Sequence, residues 1–199
     1  MVNQQDRRLI GLTGGIATGK TTVSNYLSQQ YQLPILDADV YAREAVAKNS
    51  LIFKTIAERY GNRILLSDGA LNRSALGEIV FNDFTEKKWL ESQIHPYVRD
   101  RFETELKRLN NSTIILDIPL LFEANLTDTV TEIWVVSCDR SLQIARLLQR
   151  NGLTTEQAIA RIDSQFPLAD KVAAADVVLD NNGSCDRLFV SVDRAVKLS

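Results

Sequence analysis

The sequence predicts an α/β fold, a five-stranded parallel sheet flanked by helices, and three observations carry that prediction. Short runs rich in β-branched and aliphatic residues, read as buried strands, recur at 9–13, 113–117, 132–137 and 176–179, with a shorter fifth at 34–37. Helical patterns lie between them, as parallel strands require. Chemistry-bearing residues then fall just past the strand ends: a Gly-rich run at 14–21, then Asp37, Asp39, Asp117 and Asn181. Ligands of open parallel sheets bind at the carboxyl ends of strands, so one shared site is expected.

The first strand runs into Gly14-Gly15-Ile16-Ala17-Thr18-Gly19-Lys20-Thr21, which matches G-x-x-x-x-G-K-[ST], the phosphate-binding P-loop. Gly14 and Gly19 let the backbone turn tightly and bring its N–H groups to phosphate oxygens. Lys20 is placed to reach the β- and γ-phosphates, and Thr21 offers a hydroxyl to Mg²⁺. From Thr22 a helix opens whose N-terminus faces the anion. A Gly-rich turn with a chance Lys-Thr is the alternative, but it needs neither the strand before nor the helix after.

Asp37-Ala38-Asp39 closes the short second strand. In a βαβ unit Asp39 comes back to the mouth of the loop. There its carboxylate can accept a proton from a hydroxyl nucleophile or orient it. A loop-end or capping role serves such a pair equally well.

From about 40 to 111 the strand–helix alternation lapses. Leu51, Ile52, Ile56 and Tyr60 fit one helical stripe, and Trp89, Leu90, Ile94, Val98, Phe102 and Leu106 another. Residues 64–71 between them read as a small hairpin or a turn. His95, the only histidine, is expected to begin a helix with Pro96 in its first turn. Arg99 and Arg101 follow as a binding surface or a solvated face.

Asp117 ends an apolar strand in the Walker B manner, which helps hold Mg²⁺ through its water shell. Glu123 follows an apolar loop, either as a functional carboxylate or as surface charge. Arg140, Arg146, Arg150 and Arg161 flank a late helical segment at 141–149, and a second, polar one runs over 151–171. Arg146 and Arg150 share a helix face. Arginines over a nucleotide site neutralise charge on a transferred phosphoryl group, and a solvated helix face with ion pairs is the ordinary alternative.

The 199 residues suit one domain or a core with an insertion, and 45% hydrophobic and 24% charged residues are ordinary for a globular chain. A formal net charge of -2 gives no general field for nucleic acid or membranes. No apolar run approaches a membrane span, and the polar start lacks a signal-peptide core, so a cytoplasmic protein is expected. The two cysteines, Cys138 and Cys185, have no metal-type spacing, and Cys138 reads as a core thiol. The stretch before Arg8 reads as an unstructured extension. A dinucleotide-binding dehydrogenase is disfavoured because no G-x-G-x-x-G follows Thr13. A guanine-nucleotide switch is disfavoured because no N-K-x-D run follows a strand.

Together these blocks resemble the dephospho-CoA kinase family. The resemblance rests on Gly11-Leu12-Thr13-Gly14-Gly15-Ile16 and Gly19-Lys20-Thr21-Thr22-Val23, on Asp37-Ala38-Asp39 with Ala42-Arg43, and on His95-Pro96 with Val98-Arg99. It continues through Asp117-Ile118-Pro119-Leu120-Leu121-Phe122-Glu123, Arg146, Arg150, Glu156, Ala158, Arg161-Ile162, Gln165, Lys171, Ala175-Asp176 and Asn182-Gly183. The family often has Gly-Ser where this chain has Ala17-Thr18, and a Ser where it has Thr21. Small residues and the hydroxyl are kept.

The resemblance implies a P-loop NTPase core (about 8–39 and 112–199), a helical CoA-binding insertion (about 40–111) and a lid (about 147–170), one kinase domain over 8–199. It implies ATP-dependent phosphorylation of the ribose 3′-hydroxyl of dephospho-CoA, with Mg²⁺. Another P-loop small-molecule or nucleoside kinase is the alternative. Asp39, Lys20 and Arg146 would be catalytic. Residues Gly14, Gly15, Ile16, Ala17, Thr18, Gly19, Lys20, Thr21 and Thr22 would hold ATP. Arg150 would be a second lid arginine, and Asn181, Asn182 and Gly183 would lie near the adenine. Asp39, Arg43, His95 and Arg99 would bind the acceptor, and Thr21 and Asp117 the metal, Asp117 through water. A dephospho-CoA partner is implied, but neither nucleic acid nor membrane. The oligomeric state stays open, and a monomer is compatible with the sequence.

Overall fold

A computed structural model describes residues 7–197. The expected extension before Arg8 falls outside the described residues except for Arg7, which is buried. The chain divides into two compact units, one of Met1–Asp37 with Asn110–Ser199, the other of Ala38–Leu109.

The first unit is a parallel sheet of β1 (Arg8–Gly14), β2 (Ile35–Asp37), β3 (Thr113–Asp117), β4 (Glu132–Ser137) and β5 (Val177–Asp180), in the order β2-β3-β1-β4-β5. β1 is central, so it must be apolar on both faces. Ile10, Leu12, Ile115, Trp134 and Val136 are fully buried with Leu27 of helix α1 (Lys20–Tyr31) and Leu188 and Val192 of helix α9 (Cys185–Lys197). Register pairs Leu12 with Asp117 and Asp37 with Asp117, so two carboxylates close the sheet side by side at its carboxyl edge. Cys138, just past β4, is buried as a core thiol.

Between β4 and β5 run α6 (Arg140–Asn151), α7 (Thr155–Asp163) and α8 (Leu168–Ala173). The continuous helical segment expected over 151–171 is therefore two helices. Gly152, at φ 63°, ends α6. Pro167 caps α8, where its missing N–H costs nothing but would interrupt a longer helix. Thr154 and Gln157 form a reciprocal capping box that starts α7.

The second unit is helical: α2 (Ala38–Ala45), α3 (Leu51–Tyr60), α4 (Arg73–Asn82) and α5 (Phe84–Arg108). Its own core gathers Ala45, Val46, Ile56, Tyr60, Ile64 and Leu76, with Trp89, Leu90 and Ile94 packed against them. Residues 61–71 form a 3₁₀ turn and one antiparallel bridge, Leu65 to Leu71. Two expectations fail here. Leu51 is exposed, because it opens α3 behind its Ser50 cap while Phe53 takes the buried stripe with Ile56 and Tyr60. Pro96 does not begin a helix but sits inside α5, which runs 25 residues. The apolar stripe on both sides of Pro96, from Trp89 to Phe102, is packed against the rest of the unit and outweighs the one lost backbone bond.

Candidate active site

The P-loop is built by close approach. A Cβ on Gly14 would stand 2.5 Å from the Val136 carbonyl oxygen and 2.7 Å from Thr18 Oγ1. The loop closes on itself as Thr18 donates from N (3.3 Å) and from Oγ1 (2.9 Å) to the Gly15 carbonyl. Gly19 then caps α1 in the left-handed region at φ 102°, with no side chain filling the helix end. Among the described residues, the amides of Ala17, Gly19, Lys20 and Thr21 donate to no protein acceptor. Such open donors at a helix N-terminus make an anion site.

The loop's carbonyls are held from behind. Thr18 O accepts from Asn181 Nδ2 (2.7 Å) and Arg146 Nη1 (3.3 Å), and Ala17 O from the same Arg146 nitrogen at 3.1 Å. Arg146 Nη2 also donates to Asn181 O (3.1 Å), and Asn181 N to Ser137 O (2.8 Å). A trans peptide points its C=O and N–H in opposite directions. Drawing Thr18 O back onto Asn181 and Arg146 therefore turns the Gly19 amide to the open side. Arg146 also lies 3.5 Å from Cys138 Sγ. Burial pushes that thiol's pKa up, against the opposing pull of Arg146.

Lys20 Nζ is ion-paired with Asp117 Oδ1, and Asp117 is buried at the end of β3. The loop after Asp117 is tied to β1 by Ile118 N to Leu12 O (2.9 Å) and Thr13 Oγ1 to Pro119 O (3.1 Å). Thr21 is exposed in the first turn of α1. No group of three or more His, Cys, Asp or Glu residues forms a metal cage among the described residues. One carboxylate and one hydroxyl beside a phosphate site fit Mg²⁺, which keeps several waters and shares its shell with substrate phosphates.

Glu123 is not surface charge. Its Oε1 accepts from Lys171 Nζ at 2.8 Å, with the Lys171 side chain 0% exposed, and from Phe166 N at 2.9 Å. A buried ammonium demands such a partner. Arg150 is exposed at the end of α6 and bonds Asn151 Oδ1. Asn182 Oδ1 accepts from Asp139 N at 2.7 Å, ahead of α6, with exposed Gly183 beside it. Thr22 N donates to Gly19 O.

The second unit holds a cavity of about 350 Å³ with Asp39, Arg43 and Arg73 among apolar walls that include Val46, Leu76 and Ile94. Asp39 and Arg43 are thus brought together on α2, while His95 and Arg99 lie on α5 and do not line this cavity. Burial lowers the His95 pKa, opposed by Glu91 and reinforced by Arg99, so the neutral imidazole is favoured. Sequence reasoning missed Arg73, which only a cavity reveals. It also gave no role to Gln143, Gln165 or Lys171, because polar side chains whose partners lie far away in sequence leave no local pattern.

A family model described as dephospho-CoA kinase matches residues 8–187. A curated dephospho-CoA kinase from Synechocystis sp. is 63% identical over 190 residues, covering 95% of this chain and 94% of that protein. The crystal structure of TT1252 from Thermus thermophilus superposes with a TM-score of 0.84 at 32% identity, covering 96% of each chain. A dephospho-CoA kinase structure from Campylobacter jejuni gives 0.70 at 27% identity over 95% of each chain. With the P-loop, the sheet order and these likenesses in place, the chain belongs to the dephospho-CoA kinase family.

Proposed function

We propose that this enzyme transfers the γ-phosphoryl group of ATP to the ribose 3′-hydroxyl of dephospho-CoA, giving CoA and ADP. The observation that carries this reading is the P-loop whose amides at 17, 19, 20 and 21 are open while its carbonyls are pinned by Arg146 and Asn181. Those amides bind donor phosphates. Lys20, ion-paired with Asp117 beside the loop, is placed to reach the β- and γ-phosphates. Thr21 and Asp117, the latter through water, are the residues that would hold Mg²⁺, which supplies charge neutralisation on the phosphates.

On the acceptor side, Asp39 receives or orients the 3′-hydroxyl proton as the oxygen attacks γ-phosphorus and the bond to the β-phosphate oxygen breaks. The cavity bearing Arg43 and Arg73 takes an acceptor with anionic groups and apolar length, and His95 and Arg99 add to that side. Arg146 serves the loop that it grips. Arg150, exposed where α6 gives way to the 152–167 segment, is the arginine for a closing lid, and Asn181, Asn182 and Gly183 flank the adenine. ATP use fits a cytoplasmic location. No helix of the described residues is long and apolar enough to cross a membrane. The test is a competition assay with ATP, Mg²⁺ and an equimolar mixture of dephospho-CoA, adenosine and shikimate, read by mass spectrometry. Dephospho-CoA is expected to gain the phosphate first. Preferential phosphorylation of either other alcohol would overturn the acceptor.

A further inference from the structure

Two buried or half-buried glutamines meet on one residue of the P-loop. The Ile16 carbonyl accepts from Gln143 Nε2 at 2.7 Å, and the Ile16 amide donates to Gln165 Oε1 at 2.7 Å. Gln143 is 3% exposed on α6, and Gln165 follows α7, so the two arrive from opposite ends of the 152–163 segment. Gln165 is itself anchored next door. Phe166 N donates to Glu123 Oε1 (2.9 Å), the Phe166 ring stacks on Phe122 with centroids 5.8 Å apart, and Lys171 closes the same carboxylate.

The consequence follows from peptide geometry. Ile16 C=O and Ala17 N–H share one planar trans unit and point in opposite directions. With the carbonyl held by Gln143, the Ala17 amide is aimed away from Gln143. That amide has no protein acceptor among the described residues, as an anion donor should be. The preceding peptide is fixed too, since its N–H is taken by Gln165 and its carbonyl, that of Gly15, by Thr18. Rotation of the Gly15–Ile16 unit would break three bonds at once, and rotation of the Ile16–Ala17 unit would break the bond from Gln143.

We infer that Gln143 and Gln165 are positioning residues for phosphoryl transfer: acting through Ile16, they aim the Ala17 amide at the donor's phosphates. This rests on the kinase reading of the P-loop. Gln143→Met is close in shape and removes the donor, and Gln165→Met removes the acceptor at a less buried position. Two readouts are taken on the full chain: kcat and KM for both substrates, and the ¹⁵N-resolved shift of each loop amide on titration with ADP, which needs no acceptor. In both variants kcat/KM for ATP is expected to fall about tenfold or more, as small misplacements of a positioned group do, with KM for dephospho-CoA within about twofold. The ADP-induced shift of Ala17 is expected to shrink while those of Lys20 and Thr21 persist. An unchanged Ala17 response, or an equal loss at all loop amides, would overturn the inference. A wild type that phosphorylates a different alcohol refutes the acceptor assignment alone, and the amide titration still decides the role of the glutamines.

Discussion

Gly19→Ala tests the loop's architecture. At φ 102° an L-residue is strained by roughly 1–2 kcal/mol. Its Cβ would also fall inside contact distance of Asn181 Nδ2, which must then leave Thr18 O. Losing that buried bond adds roughly 1–3 kcal/mol, for a total of about 2–5. The second term disappears once Asn181 is Ala, so the same substitution in an Asn181→Ala background should cost only the dihedral strain. The cycle should therefore show a coupling of about 1–3 kcal/mol. Urea unfolding followed by the fluorescence of Trp134, fully buried beside β1, reads this unit in a Trp89→Phe background. Equal costs of Gly19→Ala in the two backgrounds would mean that Asn181 does not occupy the space a side chain needs.

Three further outcomes follow. Lys20→Ala should weaken ATP binding and lower kcat by about 10²–10³-fold, since it removes a preorganised charge from the transferring group; isothermal titration and steady-state rates check this. Asp39→Asn should cut kcat by roughly 10²-fold or more while ATP affinity, measured by thermal shift, stays near wild type; equal turnover would remove Asp39 from the chemistry. Hydrogen bonds from Arg59 and then Tyr60 hold Glu86 down to about 2, well below its unfolded value. Its contribution to the helical unit is thus complete above the ordinary carboxylate range and is lost as pH falls toward 2. Circular dichroism against pH should show acid loss of helix that is less steep in Glu86→Gln.

The sheet was legible because buried parallel strands are short apolar runs, and all five appear within a residue or so of their places. The P-loop was legible because its residue types are dictated locally: Gly14 by the Val136 carbonyl, Gly19 by a positive φ. What escaped was set by partners far away in sequence. Nothing local decides between a functional carboxylate and surface charge for Glu123, because the partner that decides it, buried Lys171, lies 48 positions on. Pro96 looked like a helix start because the rule weighs one missing N–H and not the packing of a 25-residue helix. For Arg146 the expectation is a role on the transferred phosphoryl group; its bonds to the Ala17, Thr18 and Asn181 carbonyls are a further feature that no helix-face pattern announces.

The oxygen that receives the phosphate distinguishes this reaction from every alternative. Incubation with ATP, Mg²⁺ and dephospho-CoA, followed by ³¹P–¹H correlation NMR of the purified product, reads that atom directly. A new phosphomonoester coupled to the ribose H3′ of the product is expected, with one ADP formed per product. A phosphate coupled to H2′, or ADP formed with dephospho-CoA unchanged, would contradict it.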